Sequence, residues 1–115
     1  MNKVSFFKEG MRLTLRVSGH AGYAAVGHDI VCSACSILMY TVAEVVAREK
    51  YALASAPDIN LVAGFGTVSC EVIPEKYDDI CRLYEVAMTG FAILAYNYPD
   101  HVKIQSFGEA EKPLI

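Results

Sequence analysis

The stretch VSGHAGYAAVGHDIVCSACS, residues 17–36, connects an alternating strand pattern to a helical one. Three glycines lie within residues 19–28, where they remove the steric restraint that a Cβ places on the backbone. This composition predicts a flexible loop over residues 19–28. Asp29 follows the loop and is a natural N-cap, so we expect a helix to begin directly after it.

Hydrophobic periodicity on either side of this stretch predicts five strands and two helices. Residues 11–18 alternate apolar and polar side chains with the period of two that is typical of a half-buried strand. The predicted elements are strands at residues 2–8 and 11–18, a helix from Asp29 to about Lys50, two strands within residues 59–73, a helix over residues 74–98 and a strand over residues 101–107. The order β-β-α-β-β-α-β predicts an α+β two-layer fold, with two helices on one face of a mainly antiparallel sheet.

The first predicted helix has an apolar side that should pack on the sheet. Its apolar residues recur at helical spacing and are Val31, Cys35, Leu38, Val42, Val45 and Val46. Cys70 and Cys81 are predicted to pack in the core as well, since isolated intracellular cysteines are most often buried. His101, at the start of the last strand, is predicted to lie at the surface.

Length and composition restrict the class of protein. A chain of 115 residues with 54% hydrophobic and 20% charged residues predicts one globular domain over residues 1–115 and excludes disorder. A run of ~18 apolar residues and a signal peptide are both missing from the sequence, so we expect a cytoplasmic protein with no membrane partner. A net charge of -3 provides no basic field for direct nucleic-acid binding.

Cys32 and His20 are the candidate nucleophile and base. A lone cysteine is usually core filler, but Cys32 falls in the first turn of the predicted helix, where free N–H groups and the helix dipole stabilise a thiolate. His20 lies at the loop entrance, and a loop of this length can bring it back over the helix start. A thiolate beside an imidazolium is what a cysteine nucleophile needs. The glycine-rich loop could then act as a lid that orders on substrate.

Asp29 and Ser36 are candidate supporting residues. Asp29 is expected mainly as an N-cap, and it would assist catalysis if it also held the His20 imidazole. Ser36 lies one turn after Cys32 on the same helix face, where it could donate to the thiolate or to a substrate carbonyl. A serine that bonds back to its own helix is the structural alternative. Loop amides around Gly19 to Gly22 are candidates for stabilising an oxyanion.

Three alternatives to a cysteine nucleophile remain open. A zinc site is the first, because four possible ligands fall within sixteen residues: His20, His28, Cys32 and Cys35. Cys35 argues against it, since this residue belongs to the apolar side of the helix. The second is a redox C-x-x-C motif, although a loop stands where such motifs have a preceding strand. The third is a non-catalytic peptide-binding module that uses the loop as a clamp.

Residues 17–36 resemble the signature S-G-H-A-G-Y-A…G-x-D-I-V-C-x-x-x-S of the ribosomal-processing cysteine proteases, the Prp family. GFAILAYNYPDHVKI, residues 90–104, is similar to the last helix and strand of that family, so the resemblance covers most of the chain. It implies that His20 and Cys32 form a catalytic dyad, and that Asp29 belongs to the site. Cys35 departs from the family's pattern, in which a small or branched apolar residue is expected at this position.

The resemblance also implies an activity and partners. The family consists of bacterial homodimers that act in ribosome biogenesis, without a cofactor. They remove a short N-terminal extension from a large-subunit ribosomal protein, cutting after Phe in a sequence like Leu-Gln-Phe-Phe-Ala. The implied substrate loop comprises Gly19, Ala21, Gly22, Tyr23 and Gly27. Our hypothesis is that Cys32 attacks the carbonyl that follows the Phe, with His20 as general acid and base.

Overall fold

The computed structural model describes residues 1–25 and 28–107, and the side chains of these residues through Ser106. The elements are β1 (Asn2–Glu9), β2 (Arg12–Ser18), α1 (Ile30–Arg48), β3 (Asp58–Val62), β4 (Phe65–Glu71), α2 (Tyr77–Asn97) and β5 (Val102–Phe107). The predicted order is confirmed. The second helix begins three residues later than predicted, because Pro74–Lys76 forms a separate 3₁₀ turn.

The sheet has the strand order β3-β4-β2-β1-β5. Its neighbouring strands are antiparallel except for β1 and β5, which pair in parallel. The sheet is therefore mixed but mainly antiparallel, as predicted. β2 ends opposite the starts of β1 and β4, and β1 starts beside the start of β5. One end of the sheet thus gathers the loop after β2, the β3–β4 turn and the first residues of β1 and β5.

The two helices lie on the same face of the sheet, because they contact each other as well as the strands. The buried residues of α1 are Val31, Cys35, Met39, Val42, Ala43 and Val46. Four of the six predicted core positions are therefore buried, whereas Leu38 and Val45 are only half-buried. Tyr84 of α2 stacks on Phe6 of β1 with ring centroids 5.2 Å apart. Burial of each such large side chain contributes about 1.5–3 kcal/mol to folding.

Among the described helices, α1 is long and apolar enough to cross a membrane by length and composition alone. The sequence has no uninterrupted run of ~18 apolar residues, but the polar residues of α1 are too few to bring its mean hydropathy below that of a membrane span. The buried residues of α1 recur every three or four positions and pack in the core. This pattern is typical of an amphipathic helix that covers a sheet.

Candidate active site

Asp29 caps α1, as predicted. Its backbone is extended (φ -91°, ψ 103°), and its Oδ1 accepts hydrogen bonds from the N–H groups of Val31 and Cys32, both at 2.9 Å. The Ser33 N–H donates to the Asp29 carbonyl at 3.0 Å, which is the first bond of the helix ladder. Cys32 therefore lies in the first turn of α1, and its side chain is half-buried. The helix dipole at this position favours a thiolate.

The second oxygen of Asp29 holds the preceding loop. Oδ2 accepts from the N–H groups of Tyr23 at 2.9 Å and Ala24 at 3.2 Å. Burial of the carboxylate opposes its charge, but the four backbone N–H groups together lower the pKa of Asp29 below its usual value. Among the hydrogen bonds of the described residues, none joins Asp29 to the His20 ring. Asp29 orients the loop backbone, and the alternative in which it holds the imidazole is not observed.

The loop folds back over the start of α1, as its length allows. The Ala21 N–H donates to the Cys32 Sγ at 3.2 Å. Hydrogen bonds to an ionised acceptor are stronger than those between neutral groups, so this amide stabilises the thiolate form of Cys32. Ala21 lies within the segment from Gly19 to Gly22 that the sequence suggested as a source of oxyanion donors.

His20 is positioned by the β3–β4 turn. The Gly19 N–H donates to the Gly64 carbonyl at 2.8 Å, and a Cβ placed on Gly64 would lie 3.0 Å from the His20 Nε2. The imidazole therefore lies against a residue that has no side chain. Within residues 1–25 and 28–106, no hydrogen bond joins the His20 ring to Cys32. Catalytic hydrogen bonds often tighten only in the complex with substrate, so this geometry is compatible with a dyad.

His101 is part of this site, and the prediction that it is a surface residue was wrong. Its ring is half-buried, and Nδ1 lies 2.9 Å from the Ala21 carbonyl oxygen. The Tyr23 ring packs edge-on against it, with centroids 5.4 Å apart. The sequence gives no local signal for this bond, because its partners are 80 residues apart. Only the parallel pairing of β5 with β1 brings the two segments together.

A cavity of about 860 Å³ brings most of the predicted site residues together. Those that line it are Gly19, His20, Gly22, Asp29, Cys32 and Ser36. The sequence did not identify the rest of the lining, which is mainly apolar and includes Ile37, Met39 and Tyr40 of α1 and the β3–β4 residues Leu61, Val62 and Phe65. Gly27, also predicted as part of the substrate loop, lies outside the described residues. A largely apolar cavity with a few polar groups is typical of a binding site.

Cys35 also lines this cavity, but it is more deeply buried than Cys32. Its side chain is 3% exposed, and burial raises the pKa of the Cys35 thiol to about 11, with the charges of Cys32 and Asp29 acting in the same direction. A thiol held neutral in this way is a poor metal ligand and a poor redox partner. In the part of the chain that the structure describes, no group of three or more His, Cys, Asp or Glu residues is arranged to hold a metal ion.

Thiol chemistry is the class of activity that this cavity supports, since a half-buried cysteine at a helix start shares it with an imidazole. Residues 1–103 match the family model of Cysteine protease Prp. Because the match spans most of the chain, this protein belongs to the Prp family and is a cysteine protease. No curated protein sequence matches the chain.

Solved structures of other proteins have the same fold. The ribosomal processing protease Prp from Staphylococcus aureus, in complex with a covalently linked product peptide, is 17% identical, with a TM-score of 0.71 over 93% of this chain and 100% of the other. The same protease with a substrate peptide is 16% identical, with a TM-score of 0.67 and the same coverage. A protein from Streptococcus mutans is 23% identical over 95% of this chain and 96% of its own, with a TM-score of 0.66.

Proposed function

We propose that this protease cuts a peptide bond with Cys32 as nucleophile and His20 as general acid and base. The observation that carries the proposal is the hydrogen bond from the Ala21 N–H to the Cys32 Sγ, in a cavity that His20 also lines. This bond places an amide where it can support the thiolate and then the oxyanion. The other thiols of the described chain are buried, which leaves Cys32 as the accessible one among them.

The proposed reaction has two steps. The Cys32 thiolate attacks the substrate carbonyl carbon, and the negative charge moves to the carbonyl oxygen, which accepts from the Ala21 N–H. The C–N bond then breaks, and the His20 imidazolium gives its proton to the leaving amine. In the second step His20 takes a proton from water, the hydroxide attacks the thioester, and the carboxylic acid and free Cys32 are released. His20 turns from Gly64 towards Cys32 to perform these transfers.

The proposed substrate is the precursor of a bacterial large-subunit ribosomal protein, cut in the cytoplasm after Phe in a sequence like Leu-Gln-Phe-Phe-Ala. The Staphylococcus aureus relative, described as a ribosomal processing protease and solved with substrate and product peptides, supports this class of substrate. The apolar wall of the cavity, with Ile37, Leu61 and Phe65, suits an aromatic side chain. Its burial there would contribute roughly 1.5–3 kcal/mol to binding.

The proposed assembly is a homodimer. Val86, Ile93 and Tyr96 of α2 are exposed by 73%, 57% and 77%, and their spacing places them on one side of the helix. An exposed apolar strip of this kind is favourable for contact with a second copy. Sedimentation of the wild-type chain and of Ile93→Glu tests this point, and a dimer that the substitution leaves intact would rule out this strip.

A mass-spectrometric cleavage assay tests the chemistry. The substrate is a peptide with Leu-Gln-Phe-Phe-Ala followed by a basic segment. Wild type should make a single cut, Cys32→Ser none, and His20→Ala a cut that is slower by about a hundredfold to ten-thousandfold. Cys35→Ala is the matched control, since the thiol that it removes from the same helix is buried and neutral, and it should cut at close to the wild-type rate.

The alternatives predict different results in the same assay. A wild-type chain that binds the peptide and never cuts it would be a non-catalytic peptide-binding module. A chain that neither binds nor cuts, and that carries one zinc per chain, would make His20 and Cys32 metal ligands. If the Cys32→Ser variant still cut the peptide, Cys32 would not be the nucleophile.

A further inference from the structure

The peptide groups on the two sides of Ala21 have partners in different parts of the fold. On one side, the Ala21 N–H donates to the Cys32 Sγ at 3.2 Å. On the other side, the Ala21 carbonyl lies 2.9 Å from the His101 Nδ1. The Ala21 side chain is itself buried. A displacement of Ala21 would therefore strain the bond to Cys32 and the bond to His101 together.

The His101 ring is attached to rigid elements. The His101 N–H donates to the Tyr98 carbonyl and the His101 carbonyl accepts from the Asn2 N–H, both at 2.9 Å. These bonds connect the residue to the end of α2 and the start of β1. Because a carbonyl can only accept, Nδ1 must carry the proton that is shared with Ala21. His101 is therefore a donor whose position is set by the sheet and not by the loop.

Steric factors alone do not fix the Ala21 backbone. The next residue is Gly22, with a φ of +70°, and a Cβ placed there would have no atom within 4 Å. A glycine in open space resists rotation weakly. The bonds from Tyr23 and Ala24 to Asp29 hold the loop on the far side of this glycine. Before this glycine, the Gly19 N–H is bonded to Gly64 two residues away from Ala21, and His101 supplies the bond at Ala21 itself.

We propose that His101 is a positioning residue for the nucleophile, which keeps the Ala21 N–H directed at the Cys32 Sγ. This proposal rests on the proposed role of Cys32. His101 is not among the described residues that line the cavity, so it acts through Ala21 and not on the substrate. Removal of its donor should therefore affect the reactivity of Cys32 and the rate of the chemical step, and should leave peptide binding nearly unchanged.

Two substitutions separate the hydrogen bond from the bulk of the ring. His101→Leu removes the donor and keeps apolar volume against Tyr23, whereas the side-chain amide of His101→Asn places a donor close to the position of Nδ1. The loss of one hydrogen bond should lower kcat of His101→Leu about tenfold at an unchanged KM. His101→Asn should recover most of the lost rate, which a purely structural role for the ring would not produce.

Alkylation of Cys32 by iodoacetamide, followed by mass spectrometry at constant pH, gives a readout that needs no substrate. His101→Leu should react about threefold more slowly, because the loss of one hydrogen bond to the sulfur corresponds to roughly a twofold to tenfold change. Thermal unfolding of both variants shows whether they fold. If His101→Leu does not fold, the comparison of His101→Asn with wild type tests the proposal. Loss of Cys32 reactivity in a folded Asn variant would overturn it.

The outcomes distinguish this proposal from the proposed function. A His101→Leu variant alkylated at the wild-type rate would overturn the positioning role even if wild type cleaves the peptide. An Asn variant as slow as the Leu variant would assign the effect to the ring and not to the donor. If wild type cleaves no peptide at all, the proposed function fails, while the alkylation rates still decide whether His101 controls Cys32.

Discussion

Cys32 and His20 line the same cavity, but Cys32 is positioned by contacts between residues close in the sequence and His20 by contacts between residues far apart. Cys32 is placed by its own helix start, where Asp29 accepts from N–H groups two and three residues further along the chain. His20 is placed by its neighbours' bonds to distant segments, from Gly19 to Gly64 and from Ala21 to His101. The position of the proposed nucleophile can therefore be predicted from local sequence, whereas that of the proposed base depends on the tertiary structure.

Asp29 joins the start of α1 to the loop that carries His20, and outside the proposed dyad its substitution should have the largest effect on activity. In Asp29→Asn, one oxygen can still cap α1, but the amide nitrogen cannot accept from the N–H groups of Tyr23 and Ala24. The loop should lose its orientation while the helix remains capped. A displacement of catalytic groups of this kind lowers kcat/KM by about a hundredfold, which the peptide cleavage assay can measure.

Asp29→Ala is the matched control, because it removes the cap as well as the loop contacts. It should cut as slowly as Asp29→Asn and unfold at a lower temperature. Since the pKa of Asp29 is lowered in the folded chain, its charge stabilises the fold above pH 3.8, and this contribution is lost as the pH falls below that value. The stability difference between wild type and Asp29→Asn should therefore shrink in acid. An Asp29→Asn variant with full activity would show that the loop contacts are not needed.

Gly64 gives a sharper test of the contacts between distant segments that position His20. A methyl group added by Gly64→Ala would lie 3.0 Å from the His20 Nε2 and displace the ring or the turn. We expect kcat/KM to fall about tenfold, since a displaced turn also moves the Gly64 carbonyl that accepts from the Gly19 N–H and holds the backbone next to His20. Steady-state cleavage of the same peptide measures the change.

Gly10→Ala controls for backbone strain. Gly10 also has a positive φ, of +60°, but lies in the β1–β2 turn with nothing within 4 Å of an added Cβ. Both alanine variants should lose roughly 1–2 kcal/mol of stability because the left-handed conformation disfavours a side chain. Only Gly64→Ala should lose activity. Equal activity in the two variants would contradict the contact between Gly64 and His20 as a determinant of the rate.

Cys35 supplies the smallest effect on activity and the contrast with Cys32 on the same helix. Burial raises the pKa of Cys35 from 9.0 to about 11, so the neutral thiol stabilises the fold below pH 9.0 and this contribution is lost as the pH rises through 11. Between pH 9 and pH 11, the free energy of unfolding of wild type should fall by about 2 kcal/mol more than that of Cys35→Ala. Urea denaturation across this pH range measures the difference. A Cys35→Ala variant with the wild-type pH dependence would show that Cys35 is not buried as described.

The sequence-based predictions were correct for features that depend on residues close in the sequence, and they failed for contacts between distant residues. The strands and helices have local periodic patterns, and their order was predicted correctly. The Asp29 cap depends on residues two and three positions away, and it was also predicted. His101 was assigned to the surface, because nothing near it in the sequence indicates a bond to Ala21. Gly64 lies within residues 59–73, where two strands were predicted, but its contact with His20 has no sequence signal.

The sequence by itself determined the two-layer α+β arrangement, the helix that begins after Asp29 and the place of Cys32 in its first turn. Each of these follows from hydrophobic periodicity or from hydrogen bonds between residues a few positions apart. Only the tertiary structure decided which surfaces meet the nucleophile. The mixed sheet brings the β3–β4 turn to His20 and the start of β5 to Ala21. Strand pairing sets these distances, and the sequence around each of these residues does not indicate which distant residue it will contact.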